Sequence, residues 1–209
     1  SDQTWEIAEK ALADACDLAG RKYKVNPGDG AFYGPKLDFK LKDSMNRIWQ
    51  CGTIQLDMFL PERFDLTYID ENGQKQRPIM LHRAIFGSIE RFIGVIIEHF
   101  GGAFPTWLAP VQVTLIPVNN QYHLDFCNRI KEILESNNIR VELDDRDEKL
   151  GYKIREAQTK KIPYQLVVGD DEVKGNLLTV RKYAETKTQT LSVDVFVESL
   201  VKEVKDKTH

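Results

Sequence analysis

Cysteine is scarce. The chain of 209 residues holds three, Cys16, Cys51 and Cys127, too few and too scattered for a disulfide scaffold, which suits a reducing, intracellular compartment. Histidine is nearly as scarce. With only His82, His99, His123 and His209, an all-protein zinc site would have to recruit the scattered cysteines, because zinc needs three or four converging ligands. No stretch approaches the ~18 uninterrupted apolar residues of a bilayer span, so a membrane helix is excluded. No signal or transit peptide is visible. An excess of one charge is also missing. The 29 basic residues face 32 acidic ones, a net charge of −3, and both halves of the chain share that balance. This disfavours a sequence-blind nucleic-acid coat, which is basic overall, and leaves room for a selective RNA binder with one basic patch. Phosphate-binding loops of the GxxxxGK[ST] type, GxGxxG, GxSxG, HExxH and CxxC are all absent, as are internal repeats. The first residue is Ser rather than Met and a helical pattern starts at once, so a piece of a longer protein is expected.

What is present is ordinary for a packed protein: 42% hydrophobic, 29% charged and 10% aromatic residues, a composition that excludes wholesale disorder. The length allows one large domain or two small ones. Residues 2–20 carry Trp5, Ala8, Leu12, Ala15, Cys16 and Ala19 at helical spacing, with Gly20 as a stop. Leu37, Phe39 and Leu41 alternate with Asp38 and Lys40, which predicts a half-buried strand over 36–42. A longer strand is expected over 48–60. Asn72-Gly73 predicts a hairpin between 66–69 and 79–81, with Pro78 shortening the second strand or putting it at an edge. Ile85, Ile89, Phe92, Ile93, Ile96, Ile97 and Phe100 form a wide apolar stripe, which predicts a well-buried helix over 84–100. Residues 102–110 read as an interdomain connection. Beyond Pro110 the order is strand, helix, strand, helix, strand, strand, helix, as expected of a small α/β domain with helices on a mostly parallel sheet.

Three segments invite a functional reading. His82-Arg83 precedes the apolar helix, and Gly87, Ser88 and Arg91 sit near that helix's start, where unpaired N–H groups attract anions. On composition alone, a histidine satisfied by backbone at a strand end is the favoured reading. The run Trp49-Gln50-Cys51-Gly52-Thr53-Ile54-Gln55-Leu56-Asp57 is unusually polar for a strand. Its side chains either line a cavity or face water on an edge strand, and Gly52 marks a bulge or a close backbone approach. Between Arg146 and Lys161 six basic residues oppose three acidic ones, which describes a solvated helix face or a phosphate-tracking RNA surface with Tyr152 available for stacking.

Together, Gly30-Ala31-Phe32-Tyr33-Gly34-Pro35-Lys36, the 49–57 run and His82-Arg83-Ala84-Ile85-Phe86-Gly87-Ser88-Ile89-Glu90-Arg91-Phe92 resemble the end of the catalytic domain of the threonyl-tRNA synthetase family. The last stretch resembles motif 3 of class II aminoacyl-tRNA synthetases. Phe104-Pro105-Thr106-Trp107-Leu108-Ala109-Pro110 resembles the junction to that family's anticodon-binding domain, and 111–209 resemble the domain itself. The resemblance implies an α/β chain: an α+β catalytic-domain remnant with an antiparallel sheet over 1–109, then a small α/β anticodon-binding domain with a mixed sheet over 110–209.

The resemblance also implies roles. His82 matches one of three ligands of a zinc ion that grips the amino and hydroxyl groups of threonine, which would exclude valine. Arg91 matches the motif 3 arginine on the ATP phosphates, a catalytic position that stabilises charge developing on pyrophosphate. Gln50 and Thr53 match residues near the adenosine, and Gly87 matches the small residue under the adenine ring. Tyr33, Gln55 and Ser88 match positions lining the threonine pocket. Gln50 and Thr53 have opposite parity on a regular strand, so both can face one site only if a bulge lies near Gly52. In the second domain Glu172 and Arg181 match anticodon-reading positions. Asp147 stands where an asparagine can occur, and Lys161 where an arginine can. The implied cofactors and partners are Zn2+, Mg2+ with ATP, threonine and tRNA(Thr), with no membrane, in a cytoplasmic, homodimeric parent enzyme. Motifs 1 and 2, two zinc ligands and the editing domain have no counterpart here. The expectation is therefore a C-terminal fragment that cannot form the adenylate alone. A non-catalytic RNA-binding module and an accessory subunit are the competing readings.

Overall fold

The computed structural model describes residues 2–208; Ser1 and His209 lie outside the described residues. The chain divides into two compact units, one ending at His99 and the other beginning at Phe100.

The first unit opens with α1 (Asp2–Leu18), which closes at Gly20 in a left-handed conformation. Next come β1 (Lys36–Lys42) and β2 (Ile48–Asp57), joined by a turn around Asp43, whose carboxylate accepts from the Met45 and Arg47 amides. The short helix α2 (Phe59–Arg63) follows. The predicted turn at Asn72-Gly73 is there, but its strands differ from expectation. It joins β3 (Tyr68–Ile69) to β4 (Lys75–Gln76), with Asp70 accepting from the Asn72 and Gln74 amides. Pro78, which has no N–H to donate, separates this ribbon from β5 (Met80–Ala84). β5 pairs antiparallel with β2 instead, and the sheet order is β1-β2-β5. β2 is thus the central strand, which removes the edge-strand reading of its polar residues.

The helix α3 (Ile89–Phe100) is shorter than predicted, because residues 85–88 bend rather than coil. Its expected burial is also corrected. No α3 residue is buried, and Ile89, Ile93 and Ile97 are each 45% or more exposed. The stripe has the right period, but it is only half covered: Phe92 stacks on Phe86 and Ile96 is half-buried, while Ile89, Ile93 and Ile97 stay exposed.

The second unit is a mixed five-stranded sheet between helical layers. Its elements run β6 (Val113–Pro117), α4 (Asn120–Ser136), β7 (Val141–Leu143), α5 (Leu150–Thr159), β8 (Tyr164–Val168), α6 (Asp170–Gly175), β9 (Leu177–Lys182), β10 (Thr188–Ser192) and α7 (Val193–Asp206). The strand order is β10-β9-β8-β6-β7. Both neighbours of β6 run parallel to it, whereas β9 and β10 are antiparallel additions, so the sheet is less parallel than the strand–helix alternation predicts. α6 and β10 have no counterpart in the sequence reading. Asn119 caps α4 by accepting from the Gln121 amide, and Ser192 caps α7 by accepting from Val195.

Alternation along the strands fixes the layers. Val113, Leu115, Leu166, Val168, Leu178 and Val180 face α4 and α7, where Phe126, Ile130, Leu134, Phe196 and Leu200 complete the core. On the opposite face Ile116 packs with Ala157 and Ile162 of the α5 region. Residues 103–110 belong to this unit rather than hanging between domains. Gln112 Nε2 donates to the Thr106 carbonyl at 2.8 Å, Arg140 donates to the Trp107 and Ala109 carbonyls, and Thr106 Oγ1 donates to Glu203. No described helix is long and apolar enough to cross a membrane.

Candidate functional site

The polar residues of β2 share one face because the strand is bulged. Phe39 pairs with Gly52 but Lys40 pairs with Gln50, so Cys51 is the extra residue. The bulge resets the alternation and places Gln50 with Thr53, Gln55 and Asp57. Gln50 Nε2 donates to Thr53 Oγ1 at 3.0 Å and to Asp38 Oδ1 at 2.8 Å, and Thr53 Oγ1 donates to the same Asp38 oxygen at 2.9 Å. Lys36 pairs with the other Asp38 oxygen at 2.8 Å.

A second cluster forms two residues along. Tyr33 OH donates to Gln55 Oε1 at 3.1 Å, and its ring meets that of His82 edge-on, with centroids 6.3 Å apart. Gln55 and His82 are direct cross-strand partners. Asp57, only 1% exposed, accepts from the Phe59 and Leu60 amides with Oδ1 and faces His82 Nε2 at 2.7 Å with Oδ2. Burial pushes the Asp57 carboxyl up, but the Leu60 amide, His82 and the Phe59 amide outweigh it and hold the group below the usual carboxylate range. An ionised Asp57 only accepts, so the proton of a neutral His82 lies on Nε2 and the lone pair on Nδ1. A carboxylate behind one ring nitrogen and a lone pair on the other is the arrangement of a metal-ligating histidine. One ligand is not a zinc site, however. No group of three His, Cys, Asp or Glu able to hold a metal occurs among the described residues. The β2–β5 side of this face opens onto a depression of about 410 Å³ lined by Thr53, Gln55, Leu81, His82, Arg83 and Ala84.

Beyond β5 the chain turns at Gly87, whose φ is +64°. A Cβ there would lie 3.2 Å from the Cys51 carbonyl oxygen, so the close approach and the positive φ both call for glycine. Ser88 Oγ donates to Glu90 and accepts from the Arg91 amide, in the first turn of α3. Arg91 is exposed.

In the second unit, Glu172 and Arg181 come to one region of the sheet. Glu172 accepts from the Gly169 amide at 2.8 Å and from Thr179 Oγ1 at 2.6 Å. Burial raises its carboxyl, and the Thr179 hydroxyl and Gly169 amide more than compensate, leaving it below its ordinary value. Thr179 and Arg181 lie two apart on β9 and therefore share a face. Asp147 is exposed in the bend before α5. Lys161 follows α5 in a left-handed conformation, and its Nζ donates to the Gly101 carbonyl. Basic residues of 146–161 are largely committed within the unit. Arg146 pairs with Asp144 at 2.7 Å and Glu156 at 3.0 Å, Lys160 pairs with Glu142 at 3.1 Å, and the buried Lys153 donates to the Asp144 carbonyl.

Comparison with known proteins follows the same division. Residues 3–100 match the class II tRNA synthetase core domain of the glycyl, histidyl, prolyl, seryl and threonyl group, and residues 112–203 match the anticodon binding domain. A threonine–tRNA ligase of Clostridium botulinum (strain Hall) is 54% identical over 209 residues, 100% of this chain and 33% of its own length. The threonine–tRNA ligase of Caldanaerobacter subterraneus is 56% identical over 207 residues, 99% of this chain and 32% of its own length. The chain belongs to the threonyl-tRNA synthetase family. Among solved structures, the RNA binding domain of threonyl-tRNA synthetase from Cryptosporidium parvum superposes with a TM-score of 0.86 at 39% identity, over 97% of this chain and 51% of that one. A structure from Aeropyrum pernix described as a threonyl-tRNA synthetase gives 0.72 at 30%, over 100% and 52%. The chain spans about a third of the length of the curated relatives.

The threonyl-tRNA synthetase frame makes the placements readable. The first unit gathers Tyr33, Gln55 and His82 in one cluster and Gln50 with Thr53 in another on the same face. Gly87 packs against the bulge, and Ser88 and Arg91 start α3. Asp38 and Asp57 are the polar residues that sequence reasoning left without a role. Their signal was parity: Asp57 is in phase with Thr53 and Gln55, and Asp38 lies directly opposite Thr53.

Proposed function

We propose that this chain is the part of a threonine–tRNA ligase that carries one wall of the ATP and threonine site together with the anticodon-reading domain. The observation that carries this reading is the continuous polar face of β2. Four hydrogen-bonding side chains on one face of a central strand, opening beside Thr53 and Gln55 onto the depression of about 410 Å³, suit a polar ligand.

In the proposed reaction the threonine carboxylate attacks the α-phosphate of ATP, displacing pyrophosphate and giving threonyl-adenylate. A ribose hydroxyl at the 3′ end of tRNA(Thr) then attacks the acyl carbon and releases AMP. No covalent enzyme intermediate is needed, so the protein contributes position and charge stabilisation. Gln50 and Thr53, both fixed by Asp38, present polar groups to the adenosine, and Gly87 leaves room for the adenine ring. Arg91 stabilises negative charge on the departing pyrophosphate, whose Mg2+ arrives with ATP. Tyr33, Gln55 and Ser88 line the threonine pocket. A bound zinc would supply Lewis-acid contacts to the threonine amino and hydroxyl groups. His82 would be one ligand through Nδ1, with Asp57 orienting its ring, and the remaining ligands would come from outside this chain. Glu172 and Arg181 would read anticodon bases, with Asp147 and Lys161 beside them. The proposal extends to a homodimeric, cytoplasmic parent enzyme.

Two measurements test this. The chain alone, in buffer with zinc, threonine and ATP, should show no pyrophosphate exchange above background. Exchange at a clear rate would overturn the claim that the site is shared with residues outside the chain. The chain should also bind the anticodon stem-loop of tRNA(Thr) better than a copy with altered anticodon, and keep that preference at higher salt. Equal binding that fades with salt would reduce the contact to phosphate electrostatics and remove the anticodon roles.

A further inference from the structure

Four buried side-chain polar atoms have no hydrogen-bond partner among the described residues: Asn120 Oδ1, Gln165 Nε2, Gln165 Oε1 and Arg181 Nε. Three of them lie on one directly opposed pair. Gln165 in β8 is the cross-strand partner of Arg181 in β9. Opposed residues in an antiparallel pair share a face, with Cβ atoms roughly 4.5–5.5 Å apart. The same row continues to Thr114 on β6 and Thr188 on β10.

Gln165 is fully buried, and nothing in packing requires an amide there. The same face of the sheet carries Ile116, which packs with Ala157 and Ile162. Native interiors rarely leave an amide unpaired at both ends. The needs of the pair are reciprocal. Arg181 Nε–H can only donate, and Gln165 Oε1 can accept. Glu172 accepts from Gly169 and Thr179, and Arg181 Nε makes no bond to it.

We propose that Gln165 is the positioning residue for Arg181: its buried amide carbonyl accepts the Arg181 Nε–H when the guanidinium engages a base. The bond fixes the plane of the guanidinium and leaves its two terminal NH2 groups as a rigid fork for a base edge. The inference rests on the anticodon-reading role given to Arg181 above, and it adds a specificity-determining residue that itself touches no RNA.

The test measures binding of the full chain to the tRNA(Thr) anticodon stem-loop and to copies with each anticodon base changed singly. The wild type is compared with Arg181→Lys, Gln165→Met and Gln165→Glu. Gln165→Met keeps length and removes the acceptor, whereas Gln165→Glu keeps the acceptor. The expected result is that Arg181→Lys and Gln165→Met lower discrimination at the same base by about tenfold, and that Gln165→Glu retains it. A purely structural role would weaken matched and altered loops alike and leave the ratio unchanged. If Arg181→Lys lowers discrimination and Gln165→Met does not, the positioning role is overturned while the reading of Arg181 stands. If Arg181→Lys changes nothing, the anticodon role of Arg181 falls first and takes this inference with it. An independent readout covers the case in which Gln165→Met misfolds. The Arg181 Nε–H resonance of the wild-type chain, assigned by its loss in Arg181→Lys, should become protected from exchange on adding the stem-loop; continued fast exchange would overturn the proposal.

Discussion

At the residue scale, two positions in the first unit are set by contacts that tolerate little change. Gly34 lies against β2, and a Cβ there would come within 1.9 Å of the Leu56 carbonyl oxygen. The backbone cannot yield that much without breaking the Tyr33–Gln55 contact. Gly34→Ala is therefore expected to destabilise this unit by about 3 kcal/mol or more, read as loss of amide-exchange protection in β1 and β2 with the second unit unchanged. Asp43 organises the β1–β2 turn. The Trp49 indole N–H, offset in part by desolvation, and then Arg47 and the Arg47 and Met45 amides lower its carboxyl to about 2. A depressed acid contributes stability above its unfolded value and loses it as pH falls through the folded one. The Trp49 indole N–H resonance should thus hold its position through pH 3.8 and move with a midpoint about 2; a midpoint at the ordinary aspartate value would show that the pairing is not formed. The candidate site residues were named in the sequence by their resemblance to the family's motifs. Asp38 and Asp57 were not. Their importance depends on which strand lies opposite and on a bulge, and both are settled by pairing far along the chain.

At the element scale, legibility follows how local the cause is. Strand β1 announces itself by alternation, and α4 by helical period. The hairpin after Ile69 was half legible: the turn is local, but the choice of β4 over β5 as partner is decided by Pro78 and by the claim of β2 on β5. α6 has six residues and β10 is mostly polar, so neither carries a periodic signal. α7 and α3 make opposite predictions. Phe196 is 2% exposed beneath the sheet, so Phe196→Ala should cost about 3–5 kcal/mol in urea unfolding of the second unit. Ile93 of α3 is 45% exposed. Ile93→Lys should change the stability of this chain by no more than about 0.5 kcal/mol, and it should lower the binding of an apolar dye such as ANS. A large destabilisation would mean that the α3 stripe is covered in solution.

At the scale of the whole molecule, the two units are unequally finished. Both apolar core clusters belong to the second, while the first buries little beyond Ala8, Cys51, Gly34, Pro35, Gly52, Asp57 and Pro61. Cooperative protection needs a core. Native-state hydrogen exchange should therefore show residues 112–203 opening as one unit at high free energy, and residues 36–84 exchanging far sooner; equal protection in both would contradict this picture. The segment from 103 to 109 bears on where such a chain can be cut. It is strapped to the second unit by Gln112, Arg140 and Glu203, although the anticodon-domain match begins only at residue 112. A graft that splices homologous modules at residue 110 would separate Glu203 from its Thr106 donor and the Arg140 guanidinium from its acceptor carbonyls at Trp107 and Ala109. A crossover placed ahead of Phe100 carries the strap along with the module it fastens, which makes that position the natural seam for building chimaeras.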